Sequence, residues 1–445
     1  PAYLVTLAAG ELDEAHDEAA GVPVDYYVPK GRGGDIERSL GRTPAMIQLF
    51  AEKLRTPYPW VKYAQVVVAD FIFGGMENTS ATTLFERALL DERAALDVDM
   101  DALIAHELAH QWFGDLVTCR DWSHAWLNEG FASYLEHVWK EHAEGLDAYH
   151  YGLEQDLALY LTESGKRYRR AVVEKVWATP IDIFDRHLYQ KGALILHALR
   201  ERLGDEPFWR GLALYLERHR GGSVETRDLL RALEDATGRS LEAVFHEWVE
   251  RPGHPELAVA VAHADGTLRV TVTQKQPGAG NDAGAFHLPL PITVVTEAGR
   301  EEHRLPVSRE SETFALPCPE TPKRVLVDPR MSAPGTTELE VPTPMLLDQL
   351  ASAEPARPRW HAARALAKRN EPRAVDGLAR ALADDPFWAV RAEAAKALGE
   401  QRTEAAFEAL ADAEGDADPR TRRAVAEALG RWRTAEAADR LLAWI

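Results

Sequence analysis

Cysteine is scarce in this chain, with only Cys119 and Cys318 among 445 residues. A disulfide framework needs more cysteines, so the sequence favours a reducing compartment, and we expect a cytoplasmic protein. Long apolar runs are also lacking, since residues 64–69 and 71–73 are far too short to cross a bilayer. The sequence therefore predicts a protein without a membrane partner.

Basic residues are outnumbered, with 51 Lys and Arg against 71 Asp and Glu, and the net charge is −20. Binding to a phosphate backbone needs a basic surface, so the sequence predicts no nucleic-acid partner. The acidic balance suits substrates with a positive charge, such as a free amino terminus, and it equally suits solubility alone. The hydrophobic fraction of 46% is typical of a globular protein, and the length predicts about two to four domains.

Shifts in composition predict a multidomain α+β protein. Residues 1–253 begin with apolar, β-branched runs that predict strands at 3–7 and 65–73. Apolar residues then recur at spacings of three and four, which predicts helices at 102–113, 127–142, 192–203 and 208–218. We therefore expect a mostly helical first domain after a strand-rich start.

The remaining residues divide into three further parts. Short strands are predicted at 257–262, 267–274, 288–296 and 324–327, separated by Gly, Asp and Pro turns, and they predict a small β-sandwich over residues 254–330. Residues 331–344 are rich in Pro, Thr and Gly, which predicts a linker. In residues 345–445, Arg359, Arg391 and Arg422 each stand seven positions before a Leu in Ala-rich sequence. This internal repeat resembles short HEAT-like repeats and predicts an α-solenoid, either a scaffold beside the catalytic body or a partner-binding surface.

The segment from His106 to His110 has a metal-binding pattern. Residues four apart lie on one face of a helix, so His106 and His110 can offer two imidazoles to one zinc ion. Glu107 is placed to face a water molecule on the same ion. Two histidines on a helix surface are the alternative interpretation of the pattern alone.

A third ligand is available at Glu129, which follows His110 after eighteen intervening residues. That spacing lets a second helix pack back on the first. Two His and one Glu leave a fourth position open for water, as a catalytic zinc requires. We therefore expect one catalytic Zn²⁺ per chain, zinc-bound water as the nucleophile and Glu107 as the general base.

A glycine pair lies upstream, in the run Gly74, Gly75, Met76, Glu77 and Asn78. A strand that ends in two glycines allows a peptide backbone to approach and pair with it. Glu77 could then hold a charged amine, although this run taken alone is better explained as a Gly-Gly turn followed by a solvated Glu.

Taken together, these motifs and their order resemble the aminopeptidase N family of zinc gluzincins. The resemblance implies a thermolysin-like catalytic domain over residues 1–253 and peptide substrates with a free amino terminus. It implies substrate binding by residues 74–78, with Glu77 at the amine. The run Tyr189-Gln190-Lys191-Gly192 matches the family segment whose tyrosine stabilises the oxyanion, so the resemblance gives Tyr189 that role.

Two departures from the family pattern affect these expectations. The family usually has Ala at the position of Gly75, and the Gly variant is shared with the leukotriene-hydrolase branch. Family members also carry an amino-terminal β-domain of about 200 residues before the catalytic one. The chain starts at Pro1 on a predicted strand, so we expect a fragment whose activity depends on that upstream domain.

Two other functions compete with the aminopeptidase. A bifunctional epoxide hydrolase with aminopeptidase activity would use the same zinc ligands and the same tyrosine. A non-catalytic scaffold would use only the HEAT-like repeats. Retention of the ligands, Glu107 and Tyr189 argues against the scaffold, because a protein without catalysis has no need of them all.

Overall fold

The structure is a computed structural model that describes residues 1–276, 284–369 and 371–444. It contains two compact units, Pro1–His254 and Pro255–Ile445. Helices and strands are mixed along the chain, as predicted. Within the described ranges, no helix is both long enough and apolar enough to cross a membrane.

A five-stranded sheet lies at the start of the first unit. Its strands are β1 (Leu12–Ala19), β2 (Val22–Pro29), β3 (Tyr63–Val68), β4 (Gly75–Met76) and β5 (Ala81–Phe85). They are arranged in the order β1-β2-β3-β5-β4, so β3 is central and β4 lies at an edge. Ala20 and Gly21 both have positive φ and close the β1–β2 hairpin, as a two-residue turn requires. A small parallel pair joins β6 (Thr118–Cys119) to β7 (Ser223–Val224).

Helices form most of the rest of this unit. They are α1 (Ile36–Leu40), α2 (Thr43–Leu54), α3 (Asp101–Ala109), α4 (Trp126–Glu144), α5 (Leu146–Lys166), α6 (Gln190–Leu203), α7 (Asp205–His219), α8 (Thr226–Thr237) and α9 (Glu242–Phe245). The four predicted helices are found as α3, α4, α6 and α7, but α3 ends at Ala109, four residues before the predicted end. Their apolar faces are buried, and large rings such as Trp112, Trp126 and Phe131 are completely covered.

Both strands predicted near the start need correction. Residues 3–7 are not a strand, because Leu4 and Val5 donate local hydrogen bonds to Pro1 and Ala2 and form a short 3-10 helix, Ala2–Leu4. The strand predicted at 65–73 ends at Val68. The chain turns soon afterwards, at Asp70, which has a φ of 57°.

The second unit begins with two antiparallel sheets, extended by one parallel strand. Its strands are β8 (Glu256–Ala264), β9 (Thr267–Gln274), β10 (Leu288–Val295), β11 (Arg300–Val307), β12 (Ser311–Pro317), β13 (Arg324–Val327) and β14 (Thr336–Glu340). One sheet has the order β12-β9-β8-β14, and the other has the order β11-β10-β13. The segment predicted as a linker, 331–344, differs from that prediction because β14 pairs in parallel with β8.

Paired helices make up the rest of the second unit. They are α10 (Thr343–Ser352), α11 (Ala356–Leu366), α12 (Pro372–Asp384), α13 (Trp388–Gln401), α14 (Glu404–Asp412), α15 (Pro419–Gly430) and α16 (Ala435–Leu442). The repeated arginines join successive helix pairs. Arg359 donates two hydrogen bonds to Asp385, at 2.8 and 3.1 Å, and Arg391 donates two to Asp416, at 2.7 and 2.9 Å.

These arginine–aspartate pairs are largely buried, which leads to a prediction about stability. We expect Arg359→Met to lower the free energy of unfolding by about 3 kcal/mol, because the buried Asp385 carboxylate loses its partner. The double variant Arg359→Met/Asp385→Leu should recover most of that loss, since it removes both charges. Arg373→Met is the control, because its pair with Glu371 is exposed and should contribute little. Urea denaturation followed by tryptophan fluorescence measures all three variants, and an equal loss in the single and double variants would contradict the prediction.

Candidate metal centre

Neighbouring helices carry the predicted ligands. His106 lies in the last turn of α3 and His110 directly follows it, so the two rings share one face. The first turn of α4 carries Glu129. Helix α6 crosses α4 so closely that a Cβ on Gly192 would lie 2.9 Å from the Cα of Gly130. Only glycine permits this approach, which brings the start of α6 to the site.

The structure places the three predicted ligand atoms together. The Nε2 atoms of His106 and His110 are 3.1 Å apart, and each lies 3.2 Å from Oε2 of Glu129. The His110 and Glu129 side chains are buried, at 1% and 9% exposed. Burial raises the pKa of Glu129, but the nearby His110 and His106 rings outweigh it and lower that pKa to about 2. Glu129 is therefore available as an anionic oxygen donor.

Both imidazoles are oriented through their other nitrogen. Nδ1 of His106 lies 2.7 Å from Oε1 of Glu136, and Nδ1 of His110 lies 2.9 Å from the carbonyl oxygen of Phe113. Both partners are hydrogen-bond acceptors, so a proton on Nδ1 of each ring would be held by them, and the neutral imidazoles would then offer their Nε2 lone pairs to a metal ion.

This donor set fits zinc. Two imidazole nitrogens and one carboxylate oxygen are the ligands of many catalytic zinc sites. Ligand atoms bound tetrahedrally at about 2.0–2.2 Å from zinc lie roughly 3.3–3.6 Å from one another, so the separations of 3.1 and 3.2 Å found here need to open only slightly. A fixed Nδ1 on both rings is the second feature that such sites share.

Glu107 directly follows His106 in α3 and is buried. The residue is 5% exposed, and its Oε2 atom has no hydrogen-bond partner among the described residues. Burial raises the pKa of Glu107 to about 7, although His106 and His110 oppose this shift. Gly75 lies against it, since a Cβ there would be 2.4 Å from the Glu107 carboxyl. The departure from the family pattern at Gly75 thus leaves room for the carboxyl group of Glu107.

The glycine pair leads into an edge strand. The carbonyl oxygen of Gly74 accepts a hydrogen bond from Phe85 at 3.1 Å, and β4 then covers Gly75 and Met76. In the sheet order β4 has one neighbour, β5, within the described part of the chain, so its other side is available for pairing. Its backbone could therefore pair with an extended peptide.

Glu77 and Asn78, which follow β4, are both buried. Burial raises the pKa of Glu77; His110 opposes that shift and the Glu129 carboxylate adds to it. Asn78 is held by the protein itself, since its amide donates to the Leu4 carbonyl at 3.3 Å and accepts from the Thr83 hydroxyl at 2.8 Å. Asn78 therefore orients the segment that carries Glu77.

Tyr189 caps the start of α6, and its ring stacks beside His106 with centroids 6.0 Å apart. Burial raises the pKa of its phenol, and the carboxylates of Glu129, Glu77 and Glu107 raise it further. Its hydroxyl therefore stays protonated beside the three carboxylates. The phenol is thus a hydrogen-bond donor facing the site.

A second cluster of possible ligands lies nearby, in Glu163, Asp185 and His187. Arg170 donates two hydrogen bonds to Asp185, at 2.8 and 2.6 Å, and the Tyr168 hydroxyl donates another at 2.9 Å. A guanidinium in that position repels a cation. We therefore interpret this cluster as an ion-pair network, and the Asp185 carbonyl within it accepts the backbone N–H that begins α6 at Tyr189.

Glu136 and the Arg170–Asp185 pair were not predicted from the sequence. The position of Glu136 could have been predicted from the helical period, because it stands seven positions after Glu129 and therefore lies on the same face of α4. Arg170 and Asp185 lie in irregular chain, where no periodicity indicates contact.

Known proteins match the chain in the same order. The profile for the Peptidase family M1 domain matches residues 38–248, and profiles for HEAT repeats match residues 343–413 and 376–445. Aminopeptidase M1 of Arabidopsis thaliana is 34% identical over 304 residues, which cover 65% of this chain and 34% of that protein. Aminopeptidase N of Lactobacillus helveticus is 32% identical over 309 residues, covering 65% of this chain and 35% of that protein.

A third relative is the tricorn protease-interacting factor F2 of Thermoplasma acidophilum, 31% identical over 322 residues, or 70% of this chain and 40% of that protein. The chain thus spans little more than a third of the length of these relatives. Among solved structures, aminopeptidase A of Legionella pneumophila, in complex with aspartic acid, matches with a TM-score of 0.75 and 16% identity, over 97% of this chain and 57% of that one. Residues 38–248 therefore match the Peptidase family M1 domain, and the similarity to proteins named aminopeptidase M1 and aminopeptidase N supports assignment of this region to the aminopeptidase N family.

Proposed function

We propose that this protein is a zinc-dependent aminopeptidase that removes single residues from the free amino end of peptides. The observation that carries the proposal is the buried Glu77, which follows the edge strand β4 and whose pKa is affected by the charges of His110 and Glu129. A carboxylate at that position binds an ammonium group, which a peptide carries only at its amino end or on a lysine side chain. Similarity to the Peptidase family M1 domain and to aminopeptidase M1 supports the same reaction class.

His106, His110 and Glu129 would hold the zinc. When bound there, zinc polarises the scissile carbonyl and lowers the pKa of a water molecule towards neutrality. Glu107 takes a proton from the attacking water and passes it to the leaving amine. Its neighbours leave Oε2 without a partner in the described structure, as a proton acceptor requires.

Tyr189 and the edge of β4 complete the proposed mechanism. The Tyr189 phenol donates a hydrogen bond to the oxygen that gains charge in the transition state. The backbone of Gly74, Gly75 and Met76 pairs with the peptide. A cavity of about 760 Å³ has Tyr189 on its wall and takes the peptide beyond the cleaved bond.

The proposed function also assigns a role to each part of the chain. Residues 1–253 form a thermolysin-like catalytic domain, residues 254–330 a β-sandwich domain, and residues 345–445 a HEAT-like helical domain. All proposed site residues lie between Gly74 and Tyr189. The helical repeats would therefore contribute scaffolding rather than chemistry.

Blocking the amino group of the substrate tests the proposal that the protein is an exopeptidase. We expect free peptides to lose one residue at a time and amino-acetylated peptides to be inert. A charge-assisted hydrogen bond contributes about 1.5–3 kcal/mol, so Glu77→Ala should lose at least about tenfold in kcat/KM. Glu86→Ala is the control, because Glu86 is exposed and only nine residues away. Mass spectrometry of the products decides the question, and internal cleavage of acetylated peptides would refute the proposal.

A further inference from the structure

Tyr189 lies where irregular chain meets helix α6. Its backbone N–H donates to the Asp185 carbonyl at 3.2 Å, and its own carbonyl accepts from Ala193 within the helix at 2.9 Å. Its ring lies beside two others, with centroids 6.4 Å from that of Phe184 and 6.0 Å from that of His106. The position of the phenol therefore depends on the residues just before the helix.

The side chain of Asp185 organises those residues. Its Oδ1 atom accepts hydrogen bonds from the backbone N–H groups of His187 at 2.9 Å and Leu188 at 3.1 Å. A side chain that accepts from the N–H groups two and three residues later caps the start of a helical turn, here the turn that leads into Tyr189. The Asp185 side chain is 4% exposed, so its carboxylate needs a partner of opposite charge to stay in place.

Arg170 is that partner. Its Nε and Nη2 atoms donate to the two carboxylate oxygens of Asp185, at 2.8 and 2.6 Å. Nη2 also donates to the Ile183 carbonyl at 2.8 Å, and Nη1 donates to the carbonyls of Ala171 at 2.7 Å and Val172 at 3.1 Å. These bonds use all five N–H donors of the guanidinium. Arg170 therefore ties the two ends of an irregular loop together.

The Arg170–Asp185 pair is in turn attached to the surrounding protein. At one end of the loop, the Val172 N–H donates to the Val249 carbonyl at 3.0 Å. At the other end, the Tyr168 hydroxyl donates to Oδ2 of Asp185 at 2.9 Å. The pair therefore connects the start of α6 to the body of the first unit.

The pair remains ionised although it is buried. Burial raises the pKa of Asp185, but hydrogen bonds from His187 and Arg170 outweigh it and hold that pKa below its usual range. Charge-assisted hydrogen bonds are roughly twice as strong as neutral ones. The pair therefore restricts the turn before Tyr189 more than neutral contacts would.

We propose that the Arg170–Asp185 pair positions the Tyr189 phenol for the reaction, so that Arg170 acts through Tyr189. This inference rests on the proposed function, in which the phenol donates to the oxygen that gains charge. Such a donor must be placed correctly, since a misplacement of about 1 Å can lower a rate roughly 10²-fold. Arg170 and Asp185 are thus positioning residues, and the proposed metal ligands do not include them.

Arg170→Met tests the proposal in two backgrounds. In the otherwise wild-type, zinc-loaded protein we expect kcat on a leucyl coumarin amide to fall by about 10–100-fold while KM changes by less than about threefold. In a Tyr189→Phe background the same substitution should lower kcat by less than about threefold, because the donor that Arg170 positions is already absent. An equal loss in both backgrounds, or an unchanged kcat in the first, would overturn the proposal.

Arg200→Met is the matched control. The Arg200 side chain is 7% exposed, against 9% for Arg170. It also donates to carboxylates, those of Glu141 at 2.6 Å and Asp205 at 2.8 Å, but it lies near the end of α6 that is far from Tyr189. We expect this variant to lose stability and to keep the wild-type kcat. A fall in kcat as large as that of Arg170→Met would assign the effect to lost stability and overturn the proposal.

Arg170→Lys covers the case in which Arg170→Met does not fold. Lys keeps the positive charge beside Asp185 but has three N–H donors instead of five, so it cannot tie both ends of the loop. We expect kcat to fall by about tenfold, and hardly at all in the Tyr189→Phe background. The melting temperature shows which variants fold, and if Arg170→Met does not, an unchanged kcat in Arg170→Lys overturns the proposal.

A measurement without turnover separates this proposal from the proposed function. Fluorotyrosine in place of Tyr189 reports the surroundings of the phenol through its fluorine NMR resonance. We expect one narrow line in the wild type and in Arg200→Met, and a shifted or broadened line in Arg170→Met. A wild type that cleaves no free peptide refutes the aminopeptidase and leaves this measurement to decide the positioning. A resonance that Arg170→Met leaves unchanged overturns it.

Discussion

Glu107→Gln is expected to keep zinc at one ion per chain and to lower kcat by about 10²–10⁴-fold, the usual contribution of a general base. The substitution preserves shape, since Gln has the same number of heavy atoms as Glu. It removes the carboxylate that accepts the proton. The ligands His106, His110 and Glu129 are unchanged, so the variant should keep its zinc while its turnover is lost.

The surroundings of Glu107 indicate that the substitution should affect turnover without affecting stability. Oε2 has no hydrogen-bond partner among the described residues, so the substitution breaks no contact of that atom. Gly75 lies against the carboxyl group, so an amide of the same size fits the same space. We therefore expect an unchanged melting temperature.

Metal analysis and steady-state kinetics on the same preparation decide the outcome. Glu107→Asp is the graded comparison: it keeps the charge but withdraws it by one methylene, so its kcat should fall between the two. A Gln variant that retains more than about a tenth of the wild-type kcat would remove Glu107 from the role of base.

The metal ligands could be predicted because their geometry is local. The helical period alone places His106 and His110 on one face, whatever packs against the helix. Glu129 needed one further assumption, that a second helix returns to the first, and α4 does so. The oxygen that orients His110, the Phe113 carbonyl, belongs to the backbone, so no side-chain pattern could indicate it.

The elements that were missed lacked such local signals. β11 and β12 carry charged residues and have few buried positions, so they show little apolar alternation. β14 has a single aliphatic residue, Leu339, and exists because it pairs with β8. Residues 3–7 show the converse, because an apolar run formed a 3-10 turn whose Leu4 packs into the interior. The secondary structure of these segments depends on the hydrogen-bond partners available to them rather than on their composition.

Loss of the metal is the second large effect, and it is expected for His110→Ala. The His110 ring is 1% exposed and its Nε2 lies close to both other ligand atoms. Removing it leaves two donors, so zinc affinity should fall by more than the roughly 10–100-fold that loss of an outer partner costs. Turnover should be lost with the metal.

Variants of neighbouring residues distinguish a metal ligand from a residue that only orients a ligand. Glu136→Gln weakens the contact at Nδ1 of His106 and should lower zinc affinity by about 10–100-fold. His137→Ala is the matched control, because His137 is also buried and bonded to a carboxylate, Asp156, at 2.7 Å, but contributes no atom to the site. Its zinc affinity should equal that of the wild type.

Competition with a chromophoric zinc chelator ranks these variants on one scale. The expected order of affinity is wild type and His137→Ala, then Glu136→Gln, then His110→Ala. The cluster of Glu163, Asp185 and His187 provides the decisive comparison, since it is the other group of possible ligands within the described residues. Arg170 already neutralises Asp185 there, so His187→Ala should leave zinc bound. Zinc lost with His187→Ala and kept with His110→Ala would move the metal centre to that cluster and separate it from Glu107 and Tyr189.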